Sequence, residues 1–460
     1  MFQKNYIVKN PMSTTAAMAD ISRILNVIPH NDALLQVMSA GFNEWQIRSF
    51  IDPLLATSKL SSVKICGVSM NHIADADNTG IFDVHNPFVN PGTGLRLNLT
   101  LTESSDFEIV TIPCRVGEED EAIRVMRENL SKYQDIKAVQ LYIADVTLDS
   151  NRFIEESMAG YEDIVLFGSM AGLGSFFVSQ ELNEESIFAI GDKIIKHGFV
   201  VVLFRGKDLY VNADYSLGWQ AIGREMTYTE GKNYFPGEMT LDTIDGEPAV
   251  KIFEKYLGVK ADKYLTTNIC EFPLMIRRND TDICMIPFQH TPEGEVLFNI
   301  RLKPDEKLRF SFASRAAVLD AAKQSCIDME AFVPQALFLV LCGNRINFLK
   351  DAAHYEWDNY RLSCPNFNMM HGICEIYYHN KKGGILNSAH VAVGFREGQR
   401  PEGTYMYRGK NKVASDAPKI IPLADRMSVF LERITGQLTE AVKAAEASNI
   451  AKSAFLSNMS

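Results

Sequence analysis

No stretch of this sequence approaches the ~18 consecutive apolar residues that a membrane-spanning helix needs. The first residues, Met1 to Asn10, lack the apolar core of a secretory signal. The expectation is a soluble, cytoplasmic protein. Positive charge is also short: 46 Lys and Arg stand against 57 Asp and Glu, for a net charge of -11. Nucleic-acid binding leaves a basic footprint, so that class is disfavoured. The eight cysteines lie at long spacings with no C-x-x-C pair. They read as reduced thiols, neither a disulfide framework nor a zinc knuckle. No P-loop or kinase ATP-binding motif occurs, so neither a nucleotide nor another cofactor is expected. What remains is ordinary for a globular chain: 46% hydrophobic and 22% charged residues over 460 positions, enough for two or three domains.

The chain is organised around residues 334–376. Ala336 to Cys342 is a continuous apolar run stopped by Gly343-Asn344-Arg345. Such a run reads as a strand buried on both faces. Arg345 then stands just past the strand's carboxyl end, where open α/β sheets place ligand contacts. A helix is expected from about Phe348 to Leu362, stopped by Cys364-Pro365. Met369 to Tyr378 reads as one further strand carrying His371, Cys374 and Glu375. If the two strands are neighbours, Arg345 can hold a carboxylate in bidentate fashion and Glu375 can accept an ammonium. That pairing suits a zwitterion. The competing reading is that each residue pairs with the other or with other charges.

Upstream, residues 1–29 read as a weakly ordered lead-in with one short helix, Ala16 to Leu25. Strands are expected at Asp32 to Met38 and Val63 to Met70, around a helix at Glu44 to Ala56. A long loop spans Asn78 to Gly94. Leu95 to Leu101 alternates strictly, and the four residues Thr102 to Ser105 suggest an antiparallel hairpin with Phe107 to Ile112. The acidic run from Gly117 to Glu121 fits the first turn of a helix, where acids complement the dipole, better than a metal site. Val139 to Ile143 and Asp163 to Phe167 read as strands, the second feeding the glycine-rich Gly168 to Gly174. That turn has neither dinucleotide-binding spacing nor the central serine of a nucleophile elbow.

Strands follow at Ser186 to Ile190, Gly198 to Arg205 and Leu209 to Ala213, and a helix at Pro248 to Leu257. Further strands are Phe272 to Ile276, Ile283 to Phe288, Val296 to Leu302, Leu308 to Phe312 and Ala389 to Phe395, with a helix from Arg315 to Phe332. The fold class expected is mixed α/β, with largely antiparallel sheets and flanking helices.

Leu341-Cys342-Gly343-Asn344-Arg345, followed about thirty residues on by Gly372-Ile373-Cys374-Glu375-Ile376, resembles the C-terminal half of the FIST sensory domain. That family ends one strand Cys-x-x-Arg and runs the next as Gly-x-x-x-Gly-Glu-Ile, with Cys374 here in place of the second glycine. Gly67-Val68-Ser69 is similar to the matching strand of the N-terminal half, but Asn71-His72-Ile73 replaces its Gly-Glu-Ile. The resemblance implies a sensor of small ligands, amino acids or related metabolites, with ligand residues at Ser69, Gly168, Ser169, Gly172, Cys342, Arg345 and Glu375. It implies an N-terminal half over 30–245 and a C-terminal half over 246–397, the boundary falling near Asp245-Gly246.

Residues 398–419 read as a linker. From 420 to 460, Met427, Leu431, Ile434, Leu438, Ala441 and Ala445 recur in steps of four and three, the seam of a two-stranded coiled coil. The ending, Ala451 to Ser460, closely resembles the segment before the phosphoacceptor histidine of sensor histidine kinases. A homodimer through this helix, with a kinase core and response regulator downstream, is the expectation. Two alternatives stand beside it: a hydrolase-like enzyme using Cys342 or Ser169, and a ligand-free interaction module. A zinc site from His371, Cys374, His379 and Cys364 is disfavoured by their spacing, so no metal is expected.

Overall fold

Short apolar runs bounded by turn residues become strands throughout the computed structural model. It describes residues 1–8, 14–56, 62–70, 94–172, 187–232, 239–262, 265–269, 271–372, 374–399 and 423–459. Strands β1 (Phe2–Val8), β2 (Asp32–Ala40), β3 (Lys64–Ser69) and β4 (Gly94–Thr102) enter one sheet, and β5 (Asp106–Pro113), β6 (Ile136–Ile143) and β7 (Val165–Met170) a second. The short β8 (Ala189–Ile190) and β9 (Ile194–Ile195) return to the first sheet, and β10 (Gly198–Arg205) to the second. β11 (Leu209–Ser216) belongs to a third.

Two smaller sheets follow. One holds β12 (Gln220–Met226), β16 (Leu274–Arg278), β17 (Thr281–Met285) and β20 (Leu308–Phe312). The other holds β13 (Tyr228–Glu230), β14 (Met239–Ile244), β15 (Glu247–Pro248), β18 (Pro287–His290) and β19 (Val296–Phe298). β21 (Ala336–Cys342), β22 (Asn368–Gly372) and β25 (His390–Glu397) complete the third sheet, while β23 (Glu375–His379) and β24 (Lys382–Ile385) join the second. The fold is thus mixed α/β with mostly antiparallel sheets.

One unit recurs three times. β2 pairs in parallel with β3, β6 with β7, and β21 with β22. Each first strand carries an antiparallel neighbour on its other edge: β4, β10 and β25 respectively. Parallel pairing demands a crossover, and helices Glu44–Ala56, Ser150–Ser157 and Gly343–Leu349 lie in the three connections. The first two pairs share a close approach. A Cβ on Gly67 would lie 1.9 Å from the Val37 carbonyl oxygen, and one on Gly168 would lie 1.9 Å from that of Leu141. Gly168→Ala must therefore pry β6 from β7, at about 1–3 kcal/mol or more. Thermal unfolding should show a marked loss. Gly436→Ala, on an exposed helix with nothing within 4 Å of the new methyl, should show none.

Several sequence expectations are corrected. Residues 2–8 form a strand paired with β4 over seven positions, so the lead-in is part of a sheet. β4 and β5 do not form a hairpin: β4 lies between β1 and β2, whereas β5 pairs with β10 in the second sheet. The turn between them is held from outside, because the Glu397 carboxylate accepts the backbone N–H groups of Glu103, Ser104 and Ser105 at 2.9, 2.9 and 2.7 Å. The expected single strand over Met369 to Tyr378 divides into β22 and β23, in different sheets. The expected helix from Phe348 becomes a run of short pieces, Gly343–Leu349, Lys350–Ala352, Tyr355–Asp358 and Tyr360–Ser363. The sheets also cross the boundary read at Asp245-Gly246, which is itself a turn with both residues at positive φ: β11 pairs with β25, and β23 pairs with β7. Asn71-His72-Ile73, Gly174, nearly all of the loop Asn78 to Gly94 and residues 400–419 of the linker lie outside the described residues.

The clamp on the turn is pH-sensitive. Burial pushes the Glu397 carboxyl up, but the bonds from residues 103–105 outweigh it and hold the group at about 2. A depressed carboxyl contributes stability that is present above its ordinary value near 4.5 and is lost as pH falls toward 2. Glu397→Gln should lower the melting temperature at neutral pH by about 2–6 °C. It should also flatten the acid limb of the stability–pH curve, measured by thermal unfolding from pH 7 to 3.

Candidate functional site: a junction of strand ends

The apolar residues of β21 are buried along its whole length, which fixes the positions of Cys342 and of the helix that follows. Arg345, in the first turn of that helix, is fully buried. Its Nε donates to Glu356 Oε1 at 2.8 Å, and a second guanidinium nitrogen bonds the same oxygen. The remaining donors reach the carbonyls of Leu217 (2.6 Å), Ser388 (2.9 Å), Ser216 (3.3 Å) and Val318 (3.4 Å). The guanidinium also faces the Trp219 ring at 5.7 Å. Burial pushes the Glu356 carboxyl up while Arg345 pulls it down. Arg345 is thus paired within the protein and ties the crossover helices to β11, to helix Arg315–Phe332 and to the turn before β25.

Glu375 sits elsewhere. It opens β23 opposite Ser169 of β7 and is fully buried. Its Oε2 accepts the Ala389 N–H at 3.3 Å, and the Cys342 thiol lies close enough to act on the carboxyl. Its Oε1 has no hydrogen-bond partner among the described residues. Burial pushes this carboxyl up to about 8. The Cys342 thiol is raised well above its ordinary range, first by burial and then by Glu375. Cys374, also raised by burial, accepts from Asn299 Nδ2 at 2.7 Å and lies 3.8 Å from the Met170 sulfur. Asn299 and Asn387 exchange amide bonds of 3.0 and 3.1 Å.

The ends of three parallel strands meet around these groups. The Ser69 carbonyl, closing β3, accepts the Gly172 N–H just past β7 at 2.8 Å, and the Ser69 hydroxyl accepts the Phe188 N–H at 3.1 Å. Met170, closing β7, donates its N–H to the Cys374 carbonyl at 3.4 Å. Gly372, closing β22, is pressed against Ser169, whose Oγ would lie 1.8 Å from any Cβ there. Strand pairing thus sets Ser169 opposite Glu375, Gly168 opposite Ile376 and Cys342 opposite Gly372, a backbone bond joins Ser69 to Gly172, and Arg345 lies in the helix that follows Cys342. The residues proposed as nucleophiles are poorly placed for that role. Burial and a neighbouring carboxylate both oppose a Cys342 thiolate, and the Ser169 hydroxyl donates to the Met170 carbonyl at 3.1 Å. Among the described residues no group of three or more His, Cys, Asp or Glu is arranged to hold a metal ion. Nor is any described helix long and apolar enough to cross a membrane.

Sequence reasoning missed the buried polar seam beneath the junction. Gln36 of β2 donates to Gln140 Oε1 (2.6 Å) and the Tyr142 hydroxyl (2.8 Å) of β6, and accepts from Asn368 Nδ2 of β22 (2.7 Å). Gln36 thus ties one strand of the first parallel pair to one strand of each of the other two. The signal was a lone glutamine inside each of two apolar strands, Leu34-Leu35-Gln36-Val37 and Ala138-Val139-Gln140-Leu141. A buried amide needs a partner, so each glutamine implied another polar group across the interface.

No curated protein matches the chain. Family comparison gives two adjacent matches: a FIST N domain over residues 56–235 and a FIST C domain over residues 249–374. Together they span more than half of the chain. β1, β2 and β23–β25 fall outside the two matches yet pair into the sheets that the matched residues build. FIST domains are sensor domains of signal transduction, and with an N and a C domain in tandem this chain belongs to the FIST-domain proteins.

Proposed function

We propose that this chain is a soluble, cytoplasmic small-ligand sensor whose site is the strand-end junction around Glu375, and that it regulates a histidine kinase through its C-terminal helix. One observation carries the reading. A carboxyl oxygen buried without a partner is costly, and such groups persist at sites that another molecule completes. Glu375 Oε1 is such an oxygen among the described residues, and it lies where the ends of β3, β7 and β22 come together. β25 supplies a route outward. Ala389, just before this strand, bonds Glu375, and Glu397 at its far end clamps the turn after β4. The chain then leads to helix Leu423–Met459.

The test is a thermal-shift screen of small metabolites, amino acids included, against the wild type and Glu375→Gln. A ligand at 100 times its Kd stabilises by about 2.7 kcal/mol, a shift of several degrees. The wild type is expected to respond to at least one compound and Glu375→Gln to lose that response. A ligand bound equally well by both proteins would remove Glu375 from the site. A wild type that responds to nothing would overturn the sensor reading.

A further inference from the structure

We propose that the junction takes a primary ammonium group on Glu375 and makes no use of a ligand carboxylate, so that its natural ligand class is amines rather than amino-acid zwitterions. This rests on the sensor reading above and narrows it. The argument is one of charge accounting in a buried space. An amino acid brings one positive and one negative group, and each needs a partner once water is removed. Among the described residues the guanidinium that acts on Glu375 is Arg345, and its donors are taken by Glu356 and by four backbone carbonyls. Among the described residues, a carboxylate entering here would find no guanidinium with donors left to receive it. An ammonium would find Glu375 Oε1, buried and without a hydrogen-bond partner among the described residues, with the opposite oxygen already fixed by Ala389. The thiols of Cys342 and Cys374 and the thioether of Met170 are soft neighbours that suit an alkyl stem better than a second charge.

Binding moves one proton. The groups facing Glu375 are Cys342 from β21, Cys284 from β17, Cys374 beside it, and Arg345 with Glu356 beyond. Burial raises all three thiols, so they stay neutral where Glu375 titrates. With no ligand, burial keeps the Glu375 carboxyl protonated up to about pH 8. An alkylammonium ion arrives charged, the carboxyl proton leaves to solvent, and a neutral ion pair remains. Below about pH 8 the affinity should therefore rise about tenfold per pH unit.

The experiment uses matched probes on the full chain: alanine against ethylamine, valine against isobutylamine, tyrosine against tyramine, and lysine against cadaverine, followed by calorimetry at pH 6 and 7. At least one amine should bind as tightly as its parent amino acid or tighter. Its Kd should fall about tenfold between pH 6 and 7, with about one proton released. Glu375→Gln should weaken it at least about thirtyfold. If an amino acid binds and its amine does not, or if the affinity does not change with pH, the amine assignment is overturned while the sensor reading stands. If no amine binds, the assignment is overturned equally. If Glu375→Gln fails to fold, the pH slope and proton release of the wild type decide alone.

Discussion

Arg345→Met and Glu356→Gln are each expected to destabilise the protein by about 3–5 kcal/mol, without any ligand being present. Both residues are fully buried, and each is the other's counter-ion. Removing Glu356 strands a guanidinium that cannot shed its proton. Removing Arg345 lets Glu356 take up a proton, since burial already favours its neutral form, but it abandons the carbonyls of Ser216, Leu217 and Ser388. The two losses overlap, so the double variant should cost less than their sum. A double-mutant cycle in urea should return a coupling of about 2 kcal/mol or more. The result separates two roles. If Arg345 held a ligand carboxylate, Arg345→Met would fold normally and lose only binding. If it holds the crossover helices against the sheet, the unfolding midpoint falls with no ligand in the tube.

That pairing marks the limit of what the sequence discloses. Arg345 past an apolar strand was legible, and so was its choice between a ligand and another charge. Its partner was not, because Glu356 lies eleven positions on, in a separate short helix whose orientation comes from packing. The strands β21, β3 and β7 were legible for a simple reason: buried parallel strands are written as unbroken apolar runs. β1 was not, because its polar positions face polar partners. Asn98 donates to Asn5, and Gln3 donates to Asn98. The apparent hairpin at Thr102 to Ser105 failed on a long-range term, since the carboxylate that holds the turn comes from Glu397. Gly372 closes β22 where the expected strand divides, and a side chain there would strike Ser169. A glycine in a strand pattern signals such a close approach without saying to what. Six of the seven proposed site residues lie in or just past strands that adjoin one another. That is a property of topology, which single-strand patterns hold only in part.

The largest effect expected on assembly lies in the C-terminal helix. Leu423–Met459 is helical across 37 residues, with Met427, Leu431, Leu438 and Val442 exposed at 47%, 38%, 62% and 55%. Their spacing of four, seven and four places them along one stripe of the helix. A long helix with an uncovered apolar stripe is stable in water chiefly when that stripe is packed, and a second copy supplies the same stripe in register. Deleting residues 420–460 should therefore leave a folded, mostly monomeric FIST module by sedimentation velocity. In the full chain, Leu431→Asp together with Leu438→Asp should weaken the proposed dimer roughly 100-fold or more. Each substitution counts twice in a symmetric pair and exchanges about 1.5–3 kcal/mol of buried leucine for a charge. At the heptad positions beyond Leu438 the expected seam carries Ala441, Ala445, Ser448 and Lys452, so charges at these four positions should cost much less. For the proposed output, a weak distal seam would hold the helix near balance, where a ligand coupling of about 1–3 kcal/mol is enough to shift it. If the truncated module remained fully dimeric while the two aspartates left the long form untouched, the globular part would set the assembly. The helix would then report a dimer that it does not make.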